Sequence, residues 1–124
     1  MHRTLTALAL WLALAGGAHA TTLSTGMLLG PSQTSAHVAG TTWCFFTNLG
    51  SRAIEATVRI VSNTGAPVDV RTVVVGSGES LAAAATGISY ARCEFQFSGS
   101  ARSIRASGCA ALGPENCIAI EPAR

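Results

Sequence analysis

Lysine is absent from this chain, and each of its eight basic side chains is an arginine. We read this as a composition bias and not as a phosphate-binding device. Charge of either sign is scarce, at 11% of residues. Once Arg3 is set aside with the leader described below, seven arginines face six acids. So even a balance gives no electrostatic footprint for nucleic acid or an anionic membrane surface. Histidine is nearly missing past the leader, where His37 stands alone. No Gly-x-Ser-x-Gly elbow accompanies it, so a hydrolytic triad lacks its parts, and His37 reads as a surface strand residue. No two cysteines have the close C-x₂₋₄-C spacing of a zinc site or the C-x-x-C spacing of a thioredoxin-type pair, and no Asp-rich loop suggests calcium. The six acids are scattered, with Glu55, Asp69 and Glu94 expected on solvent-facing sides of strands, which disfavours a paired-carboxylate glycosidase. Gly76-Ser77-Gly78 lacks the strand-to-helix setting of a phosphate loop. No cofactor is expected.

What is present begins with Met1-His2-Arg3-Thr4, an apolar stretch from Leu5 to Ala15, and Gly16-Gly17-Ala18-His19-Ala20. A basic start, a short hydrophobic segment and a small-x-small exit predict a cleavable secretory signal over residues 1–20. The apolar stretch is too short for a membrane anchor, which needs roughly 20 residues, and no later stretch is long enough. Cleavage after Ala20 would leave residues 21–124, a single soluble domain in the periplasm or outside the cell. A chain of that size buries roughly 60% or slightly more of its unfolded surface, enough for one two-layer core.

Cys44, Cys93, Cys109 and Cys117 all follow the leader. An even number in an oxidising compartment predicts two disulfides. Of the three possible pairings, Cys44–Cys93 with Cys109–Cys117 is preferred. The first would join two strand-like runs, and Gly113-Pro114 could turn the chain between the second pair. Cys93–Cys109, across the last hairpin, is the competitor.

The remaining chain is punctuated every eight to twelve residues by Gly, Asn, Ser or Pro, the spacing of an all-β sandwich. Expected strands are Leu23 to Leu29, Val38 to Thr47, Ala53 to Ser62, Val68 to Val75, Ser80 to Thr86, Ser89 to Phe97, Arg102 to Ser107 and Ile118 to Ile120. Residues from Ala110 to the last of these are expected as loop, and the alanines of Ser80 to Thr86 leave a one-turn helix open there. Seven to eight short strands and no long helix predict an antiparallel β-sandwich of immunoglobulin-like architecture. The immunoglobulin signature itself is absent, since Trp43 directly precedes Cys44 and Tyr90 lies three residues before Cys93.

One hairpin is specific enough to assign a register. Ile54, Ala56, Val58 and Ile60 share one face, as do Val68, Val70, Thr72 and Val74. Matching these faces puts Ile60 opposite Val68 and Arg59 opposite Asp69. The next register in phase sets Arg59 against Arg71, unfavourable by a few tenths to about 1 kcal/mol. Asn63-Thr64-Gly65 is then a three-residue loop with glycine in the left-handed position.

The runs Trp43-Cys44-Phe45-Phe46-Thr47-Asn48-Leu49-Gly50-Ser51, Val58-Arg59-Ile60-Val61 before Asn63-Thr64-Gly65, Gly78-Glu79-Ser80, and Tyr90-Ala91-Arg92-Cys93-Glu94-Phe95 ahead of Ile104-Arg105-Ala106 together resemble small secreted bacterial β-sandwich proteins of uncharacterised function. The resemblance spans most of the chain past the leader. It implies the sandwich and the Cys44–Cys93 pair; it implies no activity, and Cys109 and Cys117 fall outside its pattern.

In Trp43-Cys44-Phe45-Phe46 large residues occupy both faces of one strand. With Cys44 and Phe46 inward, Trp43 and Phe45 point outward together, where they can stack on sugar rings or dock a partner unless the first strand or the tail covers them. The sequence therefore favours a non-enzymatic exported module that binds a protein or glycan. The alternative is a subunit of a pilus or coat joined by strand addition, with a detachable first strand.

Overall fold

A computed structural model of the chain describes residues 19–29, 40–87, 90–112 and 117–124. Nine strands lie in these segments: β1 (Ala20–Ser24), β2 (Leu28–Leu29), β3 (Gly40–Asn48), β4 (Ile54–Ser62), β5 (Pro67–Val75), β6 (Ser80–Thr86), β7 (Tyr90–Ser98), β8 (Ile104–Leu112) and β9 (Cys117–Pro122), with one 3-10 turn at Ala101–Ser103. They form two antiparallel sheets, one ordered β1-β7-β4-β5 with β2 also on β7, the other β6-β3-β8-β9. The two layers enclose one core, as expected for a β-sandwich. The expected signal peptide lies outside the described residues except for His19 and Ala20, and its boundary falls one residue inside β1, where Ala20 pairs with Ser98 and Thr21 with Phe97. His37, Val38 and the Gly113-Pro114 turn also lie outside the described residues.

Alternation explains the core. Ala56, Val58 and Ile60 of β4 and Ala91, Cys93, Phe95 and Phe97 of β7 are buried, each every second residue. Phe46 answers them from β3, its ring 6.0 Å from Phe95 and 5.5 Å from Phe97. Ser80–Thr86 is a strand along β3 and not a helical turn: Ala83 and Ala85 face the core. Small side chains there suit the place where β3 and β7 are drawn together. Cys44 and Cys93 form a disulfide between the two sheets, with Cα atoms 5.7 Å apart, and Cys109 and Cys117 form a second between β8 and β9.

Three expectations need correction. The first strand is split: β1 and β2 both pair with β7, but Ser24 meets Glu94 while Leu28 meets Ala91, so the amino-terminal side carries one extra residue. Thr25 at the break is buried, takes a hydrogen bond from the Cys93 amide through its hydroxyl (3.0 Å), and donates its own amide to the Cys93 carbonyl (3.0 Å). Second, β8 does not stop at Ser107 but continues through Leu112 along β3. Its Gly108-Cys109-Ala110-Ala111 run has little strand propensity; burial between β3 and β9 overrides it.

The third correction concerns the β4–β5 hairpin. The turn is as expected: Gly65 has φ +84°, the Gly65 amide donates to the Ser62 carbonyl, and Val61 meets Pro67. A bulge then follows. Ile60 meets Asp69, leaving Val68 as the extra residue, and Arg59 lies opposite Val70 instead of Asp69. One inserted residue exchanges the faces of everything after it. Val73 and Val75 therefore turn toward the core, with Val75 fully packed, while Val68, Val70 and Val74 are exposed. Asp69 and Arg71 move to the inward side of the sheet edge and pair with each other at 3.0 Å. Matching faces hold only in an unbroken ladder; here the bulge breaks it, and burial of Val75 is the result.

Candidate binding face

The outward side of the β6-β3-β8-β9 sheet is built in rows of cross-strand neighbours. Trp43 lies between Ala84 and Cys109, and Ile120 follows Cys109 on β9. Phe45 lies between Ala82 and Ser107, followed by Pro122. Thr47 lies between Ser80 and Arg105, sharing a 2.8 Å hydrogen bond with the Ser80 hydroxyl. Because Cys44 and Phe46 are fully buried, the strand alternation sends Trp43 and Phe45 outward, as the sequence leads one to expect.

The two rings are parallel to within 7°, their centroids 6.2 Å apart. Phe45 is 37% exposed and Trp43 half-buried. The flanking side chains on β6 are alanines, so nothing on that strand rises to cover the rings. Ile120 is 67% exposed and extends the apolar surface across the disulfide. Beside Phe45 an open depression of ≈ 370 Å³ runs along Thr47, Arg105, Ser107 and Pro122. The face thus combines two aromatic rings, hydroxyls from Thr47, Ser80 and Ser107, and one guanidinium, with no carboxylate among its rows.

Four of the described acids are placed elsewhere. Glu94 accepts two hydrogen bonds on one oxygen, Oε1, from Nη2 (2.8 Å) and Nε (3.0 Å) of Arg92, and Glu79 accepts the Gly76 amide at 2.8 Å. Glu55 is exposed on β4, as expected. Asp69 departs from expectation, since the bulge carries it to the inward side of the edge. Among the described residues no three His, Cys, Asp or Glu side chains come together as metal ligands, and no helix is long and apolar enough to cross a membrane.

A second depression, ≈ 250 Å³, opens at the end of the sandwich where the chain changes sheets, lined by Arg52, Phe97, Ser100 and Ser103 around Asn48. Asn48 reads in the sequence as an ordinary turn residue. It is 1% exposed and donates to the carbonyls of Arg52 (2.8 Å) and Val75 (3.0 Å) while accepting the Gly50 amide (2.9 Å). Its side chain is spent on architecture. The only signal for it in the sequence is position: an asparagine two residues past a core phenylalanine continues the buried face.

Comparison of the chain with family models, with curated proteins and with solved structures finds no match to any of them.

Proposed function

We propose that this is a non-enzymatic, extracytoplasmic binding module that holds a glycan on the Trp43–Phe45 face. The single observation that carries the reading is the pair of parallel, outward rings flanked by alanines. Apolar ring faces beside hydroxyl and guanidinium donors match the amphipathic faces of a sugar chain. An export signal over residues 1–20 and an immunoglobulin-like arrangement of strands belong to the same reading. The two disulfides support it, since such bridges persist in oxidising compartments.

The alternative, a pilus or coat subunit joined by exchange of its first strand, has less support. β1 and β2 are already seated on β7, Thr25 is bound to both the amide and the carbonyl of Cys93, and Ser24 exchanges two 3.1 Å main-chain bonds with Arg124. Exchange would have to break all of these.

Binding is tested by affinity electrophoresis of the oxidised domain through gels containing soluble polysaccharides, including peptidoglycan fragments. Retardation is expected for the native chain and for Tyr90→Ala, whose ring is exposed on the other sheet. Trp43→Ala and Phe45→Ala should abolish it. Retardation that survives both substitutions, or migration unaffected by any polysaccharide, overturns the reading.

A further inference from the structure

β5 ends its sheet: β4 pairs with one edge, and no strand pairs with the other among the described residues. From the bulge onward this edge carries an apolar side, with Val68 48%, Val70 50% and Val74 68% exposed. Its other side carries Asp69 and Arg71, whose side chains are 29% and 50% exposed. We propose that β5 pairs antiparallel with β5 of a second copy of this chain about a two-fold axis at Val70. Two four-stranded paths would then become one continuous sheet.

Charge selects that register. A two-fold axis at Val70 sets Asp69 opposite the partner's Arg71 and Arg71 opposite the partner's Asp69, while Val70 meets the partner's Val70 and Val68 meets the partner's Thr72. An axis at Asp69 or at Arg71 puts like charges face to face, which is unfavourable. An axis at Thr72 leaves both charges against valines. Inward-pointing charges and bulges ordinarily blunt a free edge against indiscriminate pairing. Here the two charges have opposite sign and stand two residues apart, so the same device opposes the two neighbouring registers and favours one. Each internal Asp69–Arg71 pair is exchanged for one between copies, so the net gain comes from ladder hydrogen bonds and from covering Val68 and Val70. Pro67, which has no amide to donate, sits where the shared ladder ends. So short an interface makes a weak, concentration-dependent dimer. The inference is independent of the Trp43–Phe45 face, which lies on the other sheet.

Sedimentation velocity on the disulfide-intact domain tests it, with circular dichroism confirming the fold of each variant. The native chain should shift from monomer to dimer as concentration rises. Asp69→Arg alone sets two arginine pairs against each other, and Arg71→Asp alone sets two aspartate pairs; each should stay monomeric. Mixed together, the two variants should form a heterodimer, because every opposed pair is then of opposite sign. The double substitution D69R/R71D should restore the homodimer, and Trp43→Ala should leave it unchanged. A native chain monomeric throughout the series, single variants that self-associate like the native chain, or a mixture that stays monomeric would each overturn the proposal.

Discussion

Cys44 faces Gly108 across the β3–β8 ladder, at the point where Cys44 leaves its sheet to bond Cys93 in the other. Facing sheets ordinarily stand about 10 Å apart, whereas here the two bonded Cα atoms are 5.7 Å apart. The neighbour at this pinch has no room for a side chain. A Cβ on Gly108 would lie 2.6 Å from Leu28 Cδ1 and 2.9 Å from Cys93 Sγ. Gly108→Ala should destabilise the oxidised domain by about 1–3 kcal/mol, the usual cost of overpacking. Equilibrium denaturation measures it, and an unchanged midpoint would mean that the sheets part more easily than this contact implies.

Asn48, the last residue of β3, should be costlier to lose than the exposed polar residues of the loop that follows it. Asn48→Ala removes two donors and leaves the carbonyls of Arg52 and Val75 and the Gly50 amide without their partner. A loss of about 2–4 kcal/mol is expected from stranded buried groups. Asn48→Asp should be no better, because a carboxylate oxygen would then face both carbonyls. Thermal unfolding of the two variants beside Ser51→Ala, exposed in the same loop, separates this from a general effect of loop mutation.

The two disulfides should differ in worth and in access. Replacing Cys44 and Cys93 by alanine frees a loop with a sequence separation of 49, against 8 for Cys109 and Cys117. On chain entropy alone the losses are about 4 and about 2.5 kcal/mol. Cys44 and Cys93 are both fully buried while Cys117 is exposed, so mild reductant should open Cys109–Cys117 first. Alkylation followed by mass analysis reads the order, and simultaneous opening would contradict it.

Adjacent phenylalanines should respond in opposite ways. Phe46→Ala empties the core between Phe95 and Phe97 and should cost about 3–5 kcal/mol. Phe45→Ala trims an outward ring and should cost less than about 1 kcal/mol. Urea midpoints of the two variants give the comparison; equal losses would place Phe45 under cover.

Deleting Val68 removes the extra residue of the bulge and nothing that packs in the core. The remaining ladder, Ile60 with Asp69 through Ile54 with Val75, should survive. Stability should change by no more than about 1 kcal/mol. Nuclear Overhauser contacts between β4 and β5 check the register, and a shifted set of contacts would show that the bulge holds β5 in place.

Much of this architecture is written in the alternation of β7, which keeps the period of two throughout, and of β4, which keeps it until Ile60 and Val61 are both buried at the bulge. Both disulfides are the pairs preferred from the sequence, but what decides against Cys93–Cys109 is the strand arrangement: Cys44 and Cys93 lie on facing strands, and Cys109 and Cys117 on paired β8 and β9. The phase of β5 is not encoded in its pattern, because a bulge is a change of phase and Val73-Val74-Val75 is apolar in either phase. The continuation of β8 was hidden by small residues chosen for a narrow space, not for strand propensity. On the candidate face, the outward direction of Trp43 and Phe45 follows from Cys44 and Phe46. Their alanine, serine and arginine neighbours come from strands distant in sequence, and only the pairing brings them together.

The two ends of the sandwich make unequal grafting sites. At one end the sheet-changing loops are knitted through Asn48, whose amide donates to the Glu79 carbonyl and whose carbonyl accepts the Gly78 amide, while Leu49 donates to Ser103. Foreign sequence spliced into any of these loops would be felt in the others. At the opposite end, Asn63-Thr64-Gly65 is closed, among the described residues, by bonds within Ser62 through Ala66. An epitope, a fluorophore or a protease site placed there would load the hairpin, and leave both the aromatic face and the knitted end undisturbed.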